Sequence, residues 1–169
     1  TRITGELGDH EALLSHDGGP FGGPSLIDSL GHTPVSVVTA DHARTSGPRI
    51  ERPWEETVVY ELHVGSFTAR HPDVPPRYRG TYLGLAEPAV VGHLVRLGVT
   101  AVELLPVQAY VSEATVRSRG MRNHWGYSTA AFFAPHPGYA VVPGEEITEF
   151  HTMVDALHVA GIEVVLDVV

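Results

Sequence analysis

"PAVVGHLVRLGVTAVELLPV", residues Pro88–Val107, decides the fold. Pro88 suits the first helical turn, where its missing N–H costs nothing, and Gly98 suits the left-handed position just past a helix end. Between them Val90, Val91, Leu94 and Leu97 recur at helical spacing and form one apolar stripe. The run that follows directly, Val99–Val107, is apolar and reads as a strand.

The same alternation extends in both directions. Upstream, "TVVYELHV" (Thr57–Val64) is rich in β-branched and aromatic residues and is expected to be a strand buried on both faces. Downstream, Phe150, Met153, Val154 and Leu157 mark a helix over about Thr148–Ala160, with Thr148 as its cap and Gly161 at its end, and "IEVVLDVV" (Ile162–Val169) is a third strand. Strand, helix, strand, helix, strand at this spacing predicts parallel βαβ units with right-handed crossovers. Residues Thr1–Pro53 differ: they are dense in Gly, Pro, His and Ser, as in "DGGPFGGP" (Asp17–Pro24) and "TSGPRIERP" (Thr45–Pro53), with "PVSVV" the only strand-like run. They read as a linker or an extended arm.

Composition narrows the function. The chain has 169 residues, 43% of them hydrophobic, enough for one domain with a core. A net charge of -9 leaves no electrostatic footprint for nucleic acid or an anionic membrane, and favours a neutral partner. No apolar run approaches the length of a membrane span, and no signal peptide is evident. The absence of cysteine excludes a disulfide framework and thiolate metal sites, which suits a reducing cytoplasm. The eleven His residues are scattered, His151 and His158 two helical turns apart among them, without a zinc-site spacing. No phosphate-binding glycine loop is present.

Chemistry is expected at the carboxyl ends of the strands, where parallel sheets gather their ligands. Asp167 lies late in the third strand, where a carboxylate is costly unless paired; it is either a solvated strand-end residue or part of a polar site. Glu61 and Glu103 sit in the first and second strands and are read as a structural polar network. "RNHWGYSTAAFFAPHPGYA" (Arg122–Ala140) holds five of the thirteen aromatic residues and follows neither period. Within it Asn123, His124, Trp125, Gly126 and Tyr127 suit a sugar, since rings pack on the C–H face of a pyranose while polar groups bind its hydroxyls. A loop folded over its own aromatics is the alternative. Phe132 and Phe133 are expected to anchor this loop in the core.

The stretches "DSLGHTPVSVV", "PWEETVVYELHVGSFT", "HPDVPPRYRGTYLGLA", "LGVTAVELLPVQAYV", "RGMRNHWGYSTAAFFAPHPGYA" and "EFHTMVDALHVAGIEVVLDVV" together resemble the bacterial glycogen debranching enzymes of the isoamylase type, in the α-amylase superfamily of glycoside hydrolases. That resemblance implies an α/β fold consisting of the first three βα units of a (β/α)8 TIM barrel, incomplete, since a whole barrel takes about 250 residues. Residues 1–53 would be a linker or the tail of a preceding β-sandwich carbohydrate-binding module, and 54–169 the N-terminal part of the barrel. The aromatic stretch would be the loop after strand two that lines the sugar subsite beside the scissile bond. Tyr127 would be its stacking ring, Asp167 a holder of the active-site polar network, Pro106 the structural end of strand two, and Asn123, His124 and Trp125 secondary substrate contacts.

The implied reaction is hydrolysis of α-1,6 branch linkages of glycogen or limit dextrins with retention, in bacterial cytoplasm and without an organic cofactor. Its working carboxyl groups lie about 5 Å apart. None can be assigned in this sequence, so no catalytic residue and no metal ligand is named, and a calcium requirement is left open. The stretch "HVGSFT" (His63–Thr68) also resembles trehalose-releasing maltooligosaccharide hydrolases and branching enzymes, which stand as alternatives beside a non-catalytic glucan-binding remnant and a small autonomous α/β domain.

Overall fold

A computed structural model describes residues 2–4, 23–39 and 50–169. The expected features at "DGGPFGGP" and the first part of "TSGPRIERP" lie largely outside the described residues. The ordered frame is an α/β unit. Strands β3 (Val59–Leu62), β4 (Ala101–Leu104) and β7 (Glu163–Leu166) form a parallel sheet in that spatial order. Helix α3 (Pro88–Arg96) links β3 to β4, and helix α5 (Glu146–Val159) precedes β7. Shorter pieces complete the chain: β1 (Arg2–Thr4), β2 (Val35–Val37), α1 (Val64–Phe67), α2 (Tyr82–Ala86), β5 (Gln108–Tyr110), α4 (Ala114–Arg117) and β6 (Thr129–Pro135). β1 pairs antiparallel with β2, the "PVSVV" run, and β5 pairs antiparallel with β6.

Alternation along the strands sorts their side chains onto two faces. On one face Leu62, Val102 and Leu104 are buried and join Val90 and Leu94 of α3, Met153, Val154 and Leu157 of α5, and Leu85 of α2 in a single core. On the other, Glu61 stands level with Glu103 and Glu103 with Val165, with Asp167 two residues beyond. Glu61 and Val165 are exposed and Glu103 is half-buried.

Several expectations need correction. The first strand is not buried on both faces: Val58, Val59 and Tyr60 are exposed, because among the described residues β3 is the edge of this sheet, paired with β4 alone. It also ends before Val64, since His63 caps α1. The Val99–Val107 run is strand only over β4, with β5 starting just beyond it at Gln108, and Leu97 lies past the end of α3 with half its surface exposed. α5 starts two residues before Thr148, so Thr148 is no cap; its carbonyl accepts the Thr152 hydroxyl. Phe132 and Phe133 do not anchor the loop in the core. They lie on β6, whose strand partner among the described residues is β5, and Phe133 is 90% exposed. Among the described residues no helix is long and apolar enough to cross a membrane.

Candidate functional site

The segment between α4 and β6 carries the Asn-His-Trp-Gly-Tyr cluster and is held by specific bonds. Asn123 is its internal clamp. Its N–H donates to Ser112 Oγ (2.9 Å), its amide Nδ2 donates to the Val111 carbonyl (3.2 Å), and its Oδ1 accepts the Gly126 N–H (3.0 Å). Ser128 donates to the Glu113 carboxylate, which holds that carboxyl below its usual range. Gly126 has φ +84°, and a Cβ there would stand 2.9 Å from the Tyr110 ring and 3.0 Å from the Pro106 carbonyl. Only glycine fits this close, left-handed turn.

Beyond the turn, Tyr127 reaches across to the sheet and donates its hydroxyl to Asp167 Oδ2 at 2.6 Å. The bond to Asp167 and the charges of Asp167, Glu61 and Glu103 keep its phenol protonated and push its pKa up to about 12. The ring stays 43% exposed. Asp167 follows β7 directly, where its N–H donates to the Leu104 carbonyl (3.0 Å). A half-exposed aromatic ring therefore stands above the carboxyl ends of β4 and β7, on the face that carries Glu61 and Glu103. Trp125, 58% exposed, meets the His124 ring edge-on at 5.2 Å. Such a surface offers a ring face for stacking next to carboxylates that accept hydroxyl protons, the donor and acceptor pattern suited to a neutral polyol.

Behind this surface lies a cluster that the sequence reading did not single out. His63 stacks on His124, with ring centres 4.2 Å apart and planes inclined by 15°. His63 Nδ1 accepts the Ser66 N–H (3.1 Å), and its Nε2 lies 2.6 Å from the His124 carbonyl and 3.2 Å from the Tyr139 hydroxyl. A nitrogen that accepts a backbone N–H carries no proton, so the proton belongs on Nε2 and points at the His124 carbonyl. Burial, with the neighbouring His124 as a smaller contribution, lowers the His63 pKa.

The Tyr139 hydroxyl also meets that of Tyr110 (3.1 Å), and the Tyr110 ring stacks on His136 at 3.7 Å. Burial lowers the His136 pKa to about 4. Tyr82, fully buried, donates to the His136 carbonyl (3.1 Å). The signal for His63 was present in "YELHVGS": a polar residue at the carboxyl end of a strand, where parallel sheets place their sites. Tyr139 and His136 had no such signal, because β6 was not read as a strand.

An apolar groove of 340 Å3 lies between β6 and α5, lined by Phe132, Phe133, Ile147, Phe150 and Leu166 among others. Leu166 alternates with Val165, which places the groove on the helix side, away from Tyr127 and Asp167. Among the described residues no three His, Asp or Glu side chains converge as metal ligands.

No protein-family model matches the chain. Its fold is shared with pullulanase type I from Bacillus subtilis, solved in complex with maltose: the TM-score is 0.66 at 28% identity, over 81% of this chain and 21% of that one. The chain thus carries the α/β fold of that part of the pullulanase. More particularly, it is a homologue of the bacterial glycogen debranching enzymes. It is 49% identical over 167 residues to a glycogen operon protein GlgX homologue of Mycobacterium tuberculosis, covering 94% of this chain and 23% of that protein. It is 44% identical over 170 residues to the glycogen debranching enzyme of Salmonella heidelberg, covering 99% of this chain and 25% of that protein. The chain spans about a quarter of the length of these curated relatives.

Proposed function

We propose that this chain forms the substrate-facing start of a glycosidase that hydrolyses α-1,6 branch linkages in glycogen or limit dextrins with retention of configuration. The observation that carries the reading is the Tyr127 hydroxyl held at 2.6 Å by Asp167 above the carboxyl ends of a parallel sheet, with the ring left open to solvent. On this reading β3, β4 and β7 are the first three strands of a (β/α)8 barrel. The face bearing Glu61, Glu103 and Asp167 then looks into the barrel, and residues 1–53 connect to a preceding module. The complex of the pullulanase relative with maltose supports a glucan as partner.

In the proposed site Tyr127 stacks on a glucosyl ring. Asp167, already hydrogen-bonded to that phenol, fixes its plane and accepts a sugar hydroxyl at its free oxygen. Trp125 and His124 extend the surface to a neighbouring glucosyl unit, while Asn123 keeps the loop in shape. The nucleophile and the proton donor of a retaining hydrolase lie on strands outside this chain. Transition-state stabilisation from this part is therefore positioning of the sugar, not proton transfer. Residence in the cytoplasm belongs to the same proposal, and no organic cofactor is required.

Titration calorimetry with maltotetraose tests the site. The chain is expected to bind the sugar, and Tyr127→Ala to weaken that binding by about tenfold, the order expected from removing one stacking contact. Equal affinity in Tyr127→Ala and the parent chain would remove Tyr127 from the site. Release of reducing ends from glycogen by this chain alone, at an enzyme-like rate, would contradict the placement of the catalytic acids elsewhere.

A further inference from the structure

We infer that His63 is a positioning residue for the glucan-facing loop, acting as a single-proton clasp between α1 and the chain at His124. This deepens the proposed function and rests on it. Its two ring nitrogens are committed in opposite senses. Nδ1 accepts the Ser66 N–H at the first turn of α1, and Nε2 donates to the His124 carbonyl at 2.6 Å. The ring also supports the His124 ring by stacking, and Ser66 Oγ lies 3.4 Å from His124 Nε2. His124 is thus gripped through its carbonyl, its ring face and its ring nitrogen.

What this grip controls is the direction of the next three residues. Trp125 packs edge-on against the His124 ring, Gly126 makes the left-handed turn, and Tyr127 departs from it toward Asp167. His63 itself is 9% exposed and packs edge-on against Tyr139 behind the loop, so it acts on a sugar only through the loop. Its own anchoring is firm, since it follows β3 directly and caps α1. The clasp therefore ties the aromatic surface to the parallel sheet from the β3 side, while Asp167 ties it from the β7 side.

Two substitutions separate the clasp from the cap. Asparagine is a favourable N-cap and can accept the Ser66 N–H, but it is too short to reach the His124 carbonyl. Glutamine is long enough to donate to that carbonyl. In a Trp54→Phe background, Trp125 is the only tryptophan and reports the loop. His63→Asn is expected to keep the melting temperature within a few degrees, to shift Trp125 emission to the red, and to weaken maltotetraose binding about tenfold. His63→Gln is expected to recover most of both.

Parent-like emission and affinity in His63→Asn would overturn the clasp. So would equal loss in both variants, which is the behaviour of a residue that only packs. Should the parent chain bind no maltotetraose, the proposed function falls, and the clasp is judged by emission alone. A red shift in His63→Asn that His63→Gln reverses then upholds it as a loop tether, and no shift overturns it.

Discussion

At the scale of single residues, the Tyr127–Asp167 pair and His136 carry opposite electrostatic signs and give separate tests. The Tyr127 phenol donates to a carboxylate, so ionising it would set two negative charges together, and its pKa rises to about 12. Asp167→Asn removes that charge and is expected to return the phenol toward the ordinary value near 10, read by NMR of labelled tyrosine. No change on substitution would mean that the pair is not formed. His136 is held neutral by burial, with a folded pKa of about 4 against 6.5. A depressed histidine binds its proton more readily in the unfolded chain, so the stability linked to it is complete above pH 6.5 and lost as pH falls from there toward 4. The loss is on the order of 3 kcal/mol at about 1.4 kcal/mol per unit. Urea midpoints measured across this window should fall steeply for the parent and less for His136→Gln, which carries no titrating ring.

Between residues and the whole lie the elements, and the turn at Gly126 is the one on which the site depends. With φ at +84° and no room for a Cβ beside Tyr110 and Pro106, Gly126→Ala is expected to cost about 2 kcal/mol. It should also detach Tyr127 from Asp167, measured by denaturant unfolding and by loss of the elevated phenol pKa. The sequence made the long elements legible for a simple reason. α3 and α5 each bury one stripe, and β4 and β7 are short apolar runs bounded by helix ends. The β5–β6 hairpin escaped because its register is irregular and β6 alternates poorly, with adjacent Phe132 and Phe133 both exposed. Asp167 and the Asn123–Tyr127 cluster were legible from residue type and position. The bonds of Asn123 reach back as far as Val111, 12 residues away, and the grip of His63 on His124 spans 61 residues, contacts that no local pattern encodes.

For the whole molecule, the decisive feature is the unequal covering of the parallel sheet. Helices close one face over a continuous apolar core, whereas the other carries Glu61, Glu103 and Asp167 with Val165 exposed among them. Apolar exposure at Phe132 and Phe133 adds a second open surface on β6. Contiguous patches of this kind favour association, so the chain is expected to self-associate at high concentration, and Phe133→Ser to reduce this in sedimentation velocity. An unchanged sedimentation profile would show that the β6 surface is not adhesive. On the proposed function, the open end of the sheet, with Tyr127 over Asp167, faces an α-glucan. The most direct test is to titrate isotopically labelled chain with maltotetraose and map the perturbed amide and side-chain resonances. Saturable shifts centred on Trp125, Tyr127 and Asp167 are expected; shifts confined to the groove between β6 and α5, or none at all, would mean that the open end of the sheet is not the glucan-facing surface.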